Sequence, residues 1–436
     1  MADRDPDRIA RAAASLWGAA AVRLATGADA VAGAAPLVVL EPGDAATAGA
    51  MLRWADADRL AVAPRGGGTK LAWGSGPARL DGVISTSRLN APIDHRAGDL
   101  TATIPAGAAL GAVNDWLGRE RQWLPLDPAA ADRATIGGVV ATNDSGPRRQ
   151  AHGTPRDLII GVEMALADGR LAKAGGRVVK NVAGYDLARL LCGSFGSLAL
   201  VTKATFKLAP LAPASRTVVA TVAEPRRLGA LALAIAAAPL TPSAIELATP
   251  PPRLLVRFES TEHAADEQAD ALSRLCRQHD AAPTTLTHDR EAAAWREHEA
   301  SIWSGEAIVV KIAVLPTEVA DALDRVERVA GRHAVEYRAG GRAALGVLFV
   351  RLNVLTDGAR TGGAEGDDAA VAILEEVRRH AETRGGSAVL VSAPPSVKAR
   401  IDPWGAIGNG LPMMRAVKAR FDPNGTLNPG RGPGGL

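Results

Sequence analysis

The feature that most constrains this chain is a run of three glycines at positions 66–68. It stands within AVAPRGGGTKLAWG, residues 61–74, after a short apolar segment and before Thr69 and Lys70. Because glycine adopts positive φ without steric cost, the run can turn several backbone N–H groups toward one point. Such an array suits an anion, although glycine runs also occur in surface turns that bind nothing. The run alone leaves both interpretations open.

Two more glycine-rich segments follow it. The second contains IGGVV at 136–140, which we interpret as an apolar turn, and TNDSG at 142–146. The third spans residues 175–210 and contains GSFG at 193–196. Taken alone, each segment is also typical of Asx or ST turns. One ligand that touches all three segments is a more economical explanation than three unrelated turns, and a dinucleotide is long enough to do so.

The segments around these glycines predict alternating strands and helices. The predicted strand–helix–strand start lacks the G-x-G-x-x-G spacing of a Rossmann opening, and no G-x-x-x-x-G-K-[ST] loop occurs in the chain, which excludes the two commonest nucleotide loops. Apolar spacing and turn residues predict a helix over 9–25, strands over 37–40 and 60–63, a helix N-capped by Asp44, a hairpin of 162–167 and 170–174 around Asp168-Gly169, a helix over 186–192, a strand over 198–208, a mobile loop over 358–370 and a short C-terminal helix before the tail.

The composition limits which partners the protein can have and indicates its cellular compartment. The chain has 50 Lys and Arg against 47 Asp and Glu, without a dense basic block, so nucleic acid is not expected as the main partner. Cys192 and Cys276 are too few for a four-cysteine iron–sulfur or zinc site, and they fit a reducing cytoplasm. No metal site is predicted, because the eight histidines lack clear ligand spacing. No signal peptide or membrane span is predicted, so membrane association is expected only through a partner.

The loops and the C-terminal tail together resemble a known flavoprotein superfamily, the FAD-linked oxidases of the vanillyl-alcohol oxidase or p-cresol methylhydroxylase (PCMH) type. The segments that carry the resemblance are PRGGGT (64–69), TIGG (135–138) with NDSG (143–146), KNVAGYDL (180–187), GSFGSL (193–198) with VT (201–202), FDP (421–423) and LNPGR (427–431). The resemblance implies an α+β fold, in which a PCMH-type two-part FAD-binding domain is followed by a smaller α+β FAD-linked oxidase C-terminal domain.

The length of the chain and the change of composition after Pro210 predict how it divides into domains. A chain of 436 residues suggests two or three domains. We expect an N-terminal helical extension over 1–34 and the FAD-binding domain over 35–213. A cap or substrate-type domain is expected over 214–405, and a tail over 406–436 that docks on the FAD-binding domain.

The resemblance also implies which residues hold FAD. The backbone of the first loop would surround the diphosphate, the second loop would form another wall, and the backbone near Val201 would meet the flavin or ribityl region. The implied cofactor residues are Arg65, Gly66, Gly67, Gly68, Thr69, Thr135, Gly137, Gly138, Asn143, Ser145, Gly146 and Val201. Thr69 stands where covalently flavinylated relatives often carry histidine, so the FAD is expected to be non-covalent.

Within the superfamily, GGGTKLAWG and the short length most resemble the E-type FAD-binding subunits of bacterial glycolate oxidases. This resemblance implies oxidation of glycolate to glyoxylate in a complex with a larger catalytic flavoprotein subunit and an iron–sulfur subunit. The chain departs from the catalytic relatives in two ways. Phe195 and Ala199 replace a glutamate and a glycine, and no H-x-G-D-G-N-x-H motif is present in the substrate domain.

The sequence therefore identifies no catalytic residue outright. Lys180, Tyr185 and Asn428 are weak candidates for chemistry near the flavin, and His152 is a candidate cofactor contact. Arg431 fits a role either in docking the tail or in contacting the cofactor. Three hypotheses remain open: an FAD-bearing subunit of a glycolate-oxidising complex, a stand-alone FAD-dependent D-2-hydroxy-acid dehydrogenase, and a non-catalytic scaffold that keeps the flavin fold.

Overall fold

A computed structural model describes residues 5–177, 184–353, 355–356, 359–360 and 364–436. The chain divides into two compact units. Unit 1 comprises Met1–Gly146, Gly153–Leu211 and Ala406–Leu436, and unit 2 comprises Pro147–His152 and Ala212–Gly405. The C-terminal segment therefore belongs to the unit that contains the glycine loops. Helices and strands are numbered below in chain order.

Unit 1 begins with a small sheet that positions the first glycine loop. Its elements are α1 (Pro6–Trp17), β1 (Val22–Leu24), β2 (Val38–Leu40), α2 (Ala45–Ala57), β3 (Val62–Arg65) and β4 (Gly82–Ser85). Among the described residues the strand order is β1-β2-β4-β3, with β4 parallel to both β2 and β3. Asp44 caps α2 by accepting a hydrogen bond from the Thr47 N–H at 2.7 Å. Helix α2 thus connects β2 to β3, as the sequence predicts.

The rest of unit 1 is built on an antiparallel sheet. Its elements are β5 (Asp94–Arg96), β6 (Thr101–Pro105), α3 (Leu110–Leu117), β7 (Gln122–Trp123), α4 (Ile136–Thr142), α6 (Pro155–Leu158), β8 (Ile159–Ala165), β9 (Leu171–Gly175), α7 (Leu187–Leu191), β10 (Leu200–Lys207) and β11 (Ala209–Pro210). Within the described chain the strand order is β5-β6-β10-β8-β9. Strands β8 and β9 form the predicted hairpin around Asp168. Phe206, Ile104 and Ile136 are fully buried in the core beside this sheet.

Three sequence predictions need correction. The N-terminal helix ends at Trp17, because Gly18 has φ +81° and the chain then enters β1. Residues 136–142 form a helix rather than a turn, since Ile136, Val139 and Val140 follow helical spacing and face the core. Part of the predicted loop at 358–370 is helical, because α12 (Ala364–Glu382) begins within it, and the rest lies partly outside the described residues.

The C-terminal tail is docked on unit 1. Helix α14 (Leu411–Phe421) precedes it, and Leu427 is completely buried. The Val62 N–H donates to the Thr426 carbonyl at 2.7 Å, and the Asn428 N–H donates to the Val62 carbonyl at 3.0 Å. These bonds extend the edge of the first sheet beside β3, so the tail ends next to the glycine loop that follows β3.

Unit 2 is a helix-covered antiparallel sheet. Its elements are α5 (Arg149–His152), β12 (Ala214–Thr221), α8 (Arg227–Ala237), β13 (Ala244–Thr249), β14 (Arg253–Ser260), α9 (Glu262–Gln278), β15 (Ala282–Leu286), α10 (His288–Trp303), β16 (Ile308–Ala313), α11 (Val319–Arg332), β17 (Glu336–Arg342), β18 (Val347–Asn353), β19 (Leu355–Thr356), β20 (Ala359–Arg360), α12, β21 (Ser387–Ser392) and α13 (Pro395–Lys398). The main sheet has the order β15-β12-β14-β13-β17-β18-β16-β21 in the part of the chain described. Its core lies against α8, α9, α11 and α12.

Candidate functional site

The first glycine loop passes very close to the segment before α4. A Cβ atom on Gly66 would lie 1.9 Å from Thr135 Oγ1, and one on Gly67 would lie 1.9 Å from the Arg133 carbonyl oxygen. Gly68 has φ +72°, in the left-handed region that glycine adopts without strain. Glycine is therefore required here by tight packing at two positions and by backbone conformation at the third.

A groove lies between these loops and the tail. The groove encloses about 470 Å³, part of which is open to solvent. It is lined by Pro64, Arg65, Gly66, Gly67, Gly68, Thr69, Lys70, Leu71, Thr135, Gly138, Ala141, Thr142, Phe195, Asn428 and Arg431. All three glycine-rich segments and the tail thus contribute to the same groove, which is the arrangement that a single ligand requires.

Polar groups of the groove remain unused by the protein itself. Among the described residues, the Gly68 and Thr69 N–H groups donate no hydrogen bond. Asn428 is 2% exposed, and its Oδ1 atom is buried with no partner in the described chain, whereas its Nδ2 donates to the Phe195 carbonyl at 2.6 Å. Buried polar groups are nearly always hydrogen-bonded, so the unpartnered Asn428 Oδ1 atom indicates a bound ligand.

A buried cation of the tail also lines the groove. Arg431 is 3% exposed, and burial lowers the pKa of its guanidinium to about 10. Its Nη2 donates to the Leu71 carbonyl at 3.0 Å and to the Trp73 carbonyl at 2.6 Å. Arg431 therefore fixes the segment after the glycine run and brings positive charge to the groove.

Two buried ion pairs hold the first loop in place. The Lys70 Nζ lies 3.2 Å from Asp144 Oδ2, and both side chains are about 5% exposed. Lys70 Nζ also donates to the Ala129 carbonyl at 2.9 Å, so the pair joins the first and second loops. Arg65 Nη1 lies 2.5 Å from Asp29 Oδ1, and the Arg23 guanidinium together with Arg65 keeps the pKa of the Asp29 carboxyl well below its usual range.

The predicted cofactor residues fall into two groups. Those that line the groove are Arg65, Gly66, Gly67, Gly68, Thr69, Thr135 and Gly138. Those outside its lining are Gly137, Asn143, Ser145, Gly146 and Val201.

Residues outside the lining support the loops. A Cβ on Gly137 would lie 3.0 Å from Ala106 Cβ, and one on Gly146 would lie 1.9 Å from the Asp127 carbonyl oxygen. Asn143 ends α4 with φ +49°, and its Oδ1 accepts a hydrogen bond from the Arg156 N–H at 3.2 Å. Ser145 is buried.

The remaining candidates are Val201, Tyr185, Lys180 and His152, and those that the structure describes do not share one environment. The Val201 side chain packs in the core, although the neighbouring Thr202 Oγ1 is buried without a hydrogen-bond partner among the described residues. Tyr185 is 91% exposed, and Lys180 lies outside the described residues. His152 belongs to unit 2, where burial lowers its pKa.

Sequence reasoning missed several groove residues. Ala141 and Thr142 line the groove because α4 presents one of its sides there. The ion pair of Lys70 and Asp144 could have been predicted from the sequence, because the two residues have opposite charges and each lies within a glycine-rich segment. Asp29 gave no signal, because its contact with Arg65 depends on how the N-terminal extension folds.

A second polar region lies in unit 2, and we call it the ion-paired cluster. It comprises Arg148, Thr217, Glu246, Arg257, Glu259, Glu291, Trp295, His298 and Arg342. Strand residues of the cluster alternate with core residues such as Leu254, Val256 and Phe258, so they occupy the other face of the sheet. Helix α10 packs on that face against β12, β17 and β18.

In the ion-paired cluster, each carboxylate is paired with a cation. Arg148 makes a two-point contact with Glu259, at 2.7 Å and 3.0 Å. Burial opposes ionisation of Glu259, but the hydrogen bonds and charge of Arg148 outweigh it and lower the carboxyl pKa to about 2.

The other two carboxylates are similarly paired. Glu291 Oε1 lies 3.1 Å from Arg257 Nε and accepts a hydrogen bond from Thr217 at 2.7 Å. Glu246 lies 3.0 Å from His298 Nε2 and 3.3 Å from Arg342 Nε. His298 Nδ1 is buried without a hydrogen-bond partner in the described chain.

Two further structural searches bear on the site. Among the described residues, no group of three or more His, Cys, Asp or Glu side chains is arranged to hold a metal ion. The described helices also include none that combines the length and apolarity needed to cross a membrane.

The groove fits FAD in its chemistry. Unused backbone N–H groups and the buried Arg431 suit an anionic diphosphate, and the Asn428 Oδ1 atom suits a donor group elsewhere on the molecule. Side chains at Gly66 or Gly67 would displace the loop from Thr135 and Arg133. Residues that would hold the cofactor are thus present on this chain.

Comparisons with known proteins agree with this fit. Residues 36–175 match the family described as the FAD binding domain, and residues 231–389 and 406–431 match the FAD linked oxidases, C-terminal domain. The second match includes residues 406–431 of the tail.

Curated relatives are oxidoreductases of hydroxy acids by name. The chain is 27% identical over 398 residues to the glycolate oxidase subunit GlcD of Bacillus subtilis, with 86% of this chain and 84% of that protein covered. It is 38% identical over 180 residues to a D-2-hydroxyglutarate dehydrogenase of Xanthomonas citri pv. viticola and 38% identical over 173 residues to a D-lactate dehydrogenase of Archaeoglobus fulgidus. These two matches span 41% and 40% of this chain and only 38% and 39% of those relatives.

Solved structures show the same fold at low sequence identity. The structure of p-cresol methylhydroxylase with substrate bound matches with a TM-score of 0.76 and 16% identity, covering 98% of this chain and 96% of that one. A chitooligosaccharide oxidase matches with a TM-score of 0.66 and 16% identity, covering 90% of each chain. The predicted α+β architecture of the PCMH type is therefore confirmed. The chain thus contains an FAD binding domain and the C-terminal domain of FAD linked oxidases.

Proposed function

We propose that this chain is the FAD-binding subunit of a glycolate-oxidising complex, in which glycolate becomes glyoxylate and the electrons pass through a non-covalent flavin. The observation that carries the proposal is the groove that the three glycine-rich segments share with the tail. Such a groove suits one extended dinucleotide rather than several small anions.

The groove residues bind and orient the cofactor. Backbone N–H groups of Gly68 and Thr69 provide fixed dipoles for the diphosphate, and they need no rearrangement because Lys70 and Asp144 already hold the loop. Arg431 adds positive charge at the same groove. Bound FAD supplies the hydride-accepting chemistry, so the protein contributes position and electrostatics. Thr69 in place of a histidine supports non-covalent attachment.

The substrate class rests on the relatives. The Bacillus subtilis relative is named as a glycolate oxidase subunit, and the other two relatives are named for D-2-hydroxyglutarate and D-lactate. A small 2-hydroxy acid is the common chemical class of these names, and glycolate is its simplest member. The short form GGGTKLAWG favours the glycolate oxidase group within that class.

The proposed dependence on partner subunits is supported by the pairing of the carboxylates in the ion-paired cluster. The cluster carboxylates Glu246, Glu259 and Glu291 are each paired with a cation inside unit 2. The chain also lacks the H-x-G-D-G-N-x-H motif of catalytic relatives. We infer that a catalytic flavoprotein subunit provides the substrate-reacting groups.

We propose that an iron–sulfur subunit carries the electrons onward, since Cys192 and Cys276 are too few to form a four-cysteine cluster site in this chain. We also propose a cytoplasmic location for such a complex, with any membrane contact provided by its partners.

Two other functions are distinguished by a simple experiment. The chain is purified alone and with its partner subunits, and the visible flavin absorbance is followed anaerobically after addition of glycolate. The proposal predicts a yellow protein that glycolate bleaches only when the partners are present. Bleaching of the isolated chain would instead identify a stand-alone dehydrogenase. A colourless chain that still assembles with the partners would identify a scaffold.

Attachment of the flavin is tested on the same sample. Acid precipitation should release the flavin into the supernatant, because a non-covalent cofactor leaves when the fold is lost. A yellow precipitate would contradict the role assigned to Thr69.

A further inference from the structure

We propose that the side-chain oxygen of Asn428 accepts a hydrogen bond from an N–H or O–H group of bound FAD, and that this residue is a cofactor-binding residue rather than a catalytic one. The inference rests on the FAD site of the proposed function and adds a specific contact to it. The carrying observation is an unpartnered buried acceptor in the groove wall.

The backbone fixes the position of Asn428. Its N–H donates to the Val62 carbonyl at 3.0 Å, and its carbonyl accepts a hydrogen bond from the Arg431 N–H at 3.3 Å. Its φ is +45°, in the left-handed region where asparagine is one of the few tolerated side chains besides glycine. The side chain therefore leaves the backbone from a well-defined point beside Val62, the first residue of β3.

The side-chain amide is oriented by a single hydrogen bond. Asn428 Nδ2 donates to the Phe195 carbonyl at 2.6 Å. The opposite orientation of the amide would place Oδ1 against that carbonyl oxygen, and two acceptors cannot share a hydrogen bond. The acceptor must consequently be the atom that is directed away from Phe195, and it is buried and unpartnered within the described chain.

A ligand donor completes this arrangement. Asn428 is 2% exposed and lines the groove, so a buried acceptor is available at the place where the cofactor would lie. Leaving such an atom without a donor is unfavourable, whereas a donor on the ligand removes that cost on binding. FAD has suitable donors in the isoalloxazine N–H, in the adenine amine and in its hydroxyl groups.

The chemistry of an amide also excludes a role as general base. A carboxamide oxygen does not accept a proton at neutral pH, so Asn428 cannot serve as the general base that removes a substrate proton. Its hydrogen bond orients the cofactor, and its loss should weaken binding of the half of FAD that carries the donor.

The test is binding of FAD, ADP and riboflavin to the full-length chain after removal of its flavin. Asn428→Gly removes the side chain and keeps the left-handed backbone unstrained, and Asn428→Ala carries the same test if the glycine variant does not fold. Asn424→Ala is the matched control, because Asn424 lies in the same tail and its Nδ2 donates to Asp56 at 3.0 Å, outside the groove lining.

We expect the Asn428 variant to weaken FAD binding by roughly 3- to 10-fold, the range that one hydrogen bond represents. The same loss should appear for either ADP or riboflavin but not for both, which also shows which half of FAD holds the donor. Unchanged affinity for all three ligands would overturn the inference, as would an equal loss for all three. A wild-type chain that binds no FAD would instead refute the proposed function itself.

Discussion

In the groove of unit 1 several polar groups have no hydrogen-bond partner in the described chain, whereas the carboxylates of the ion-paired cluster in unit 2 are paired with cations. In the groove, the Asn428 oxygen and the Gly68 and Thr69 N–H groups make no hydrogen bond with the described protein. In the cluster, by contrast, Glu259 and Glu291 are each paired with a cation of the same unit.

This difference separates a binding surface from a stabilising one. Unused donors and acceptors are unfavourable in an empty site, and they are retained where a ligand satisfies them. Paired charges need no ligand, and removing one partner leaves a buried charge uncompensated. Substitutions in the groove should therefore act on FAD affinity, and substitutions in the cluster should act on the stability of unit 2.

The largest expected effect on FAD affinity is that of Gly67→Val. Its Cβ would lie 1.9 Å from the Arg133 carbonyl oxygen, so the loop must move and the groove must change shape. We expect FAD affinity to fall by roughly 100-fold or more, while unit 2 remains folded. Visible flavin absorbance of the purified variant measures the first effect, and tryptophan fluorescence of the folded protein monitors the second.

Gly98→Val is the matched control, because a Cβ on Gly98 meets nothing within 4 Å. Normal flavin content in the Gly67 variant would show that the first loop does not bind the cofactor. Loss of flavin in both variants would show a general effect of valine rather than a specific clash.

The largest expected effect on stability concerns the pair that supports the groove. Lys70→Met leaves Asp144 buried without its cation, and this should lower the free energy of unfolding by about 3–5 kcal/mol. The double variant Lys70→Met with Asp144→Asn should recover most of that loss, because no unpaired charge remains. Urea unfolding measures both, and equal instability of the single and double variants would contradict the pairing.

A pH experiment tests the cluster. The folded-state pKa of Glu259 is about 2, below its ordinary value of 4.5, so this carboxylate stabilises the fold above pH 4.5 and loses that effect as the pH falls toward 2. Its contribution has an upper limit of roughly 3 kcal/mol. Glu259→Gln should therefore show a smaller decrease of unfolding free energy over this acid range, with unchanged FAD affinity at neutral pH.

Glu297→Gln provides the control for the cluster, because the Glu297 side chain is 68% exposed in its ion pair with Arg253. Its acid unfolding profile should match that of the wild type. A weaker FAD affinity in the Glu259 variant would contradict the prediction that substitutions in the ion-paired cluster act on stability and those in the groove on FAD affinity.

The smallest expected effect is that of Asp29→Asn. This change weakens the partner of Arg65 while it keeps the shape of the side chain, so the Arg65 guanidinium is held less firmly at the groove. We expect FAD affinity to fall by roughly 10-fold, since an ion-pair contribution of about 1.4 kcal/mol corresponds to that factor. Fluorescence titration with FAD measures it, and Asp168→Asn, in an exposed pair with Arg170, should change nothing.

Local signals in the sequence were sufficient for many elements. Asp44 predicts the start of α2, Asp168-Gly169 predicts the turn between β8 and β9, and the glycine run predicts a tight loop after β3. The helix over Ile136–Thr142 was missed because two glycines obscured apolar positions that follow helical spacing. In that segment, packing against the core outweighs the low helix propensity of glycine.

The sequence by itself determined that this chain contains three glycine-rich loops and a tail of the FAD-linked oxidase type, because each is a local pattern of residue types. Only the tertiary structure decided which of those residues face one groove. Gly137 and Gly146 support neighbouring backbone, whereas Gly66 and Asn428 line the groove. The physical reason is that a glycine can serve a ligand or a close backbone contact equally well, and only its spatial neighbours distinguish the two.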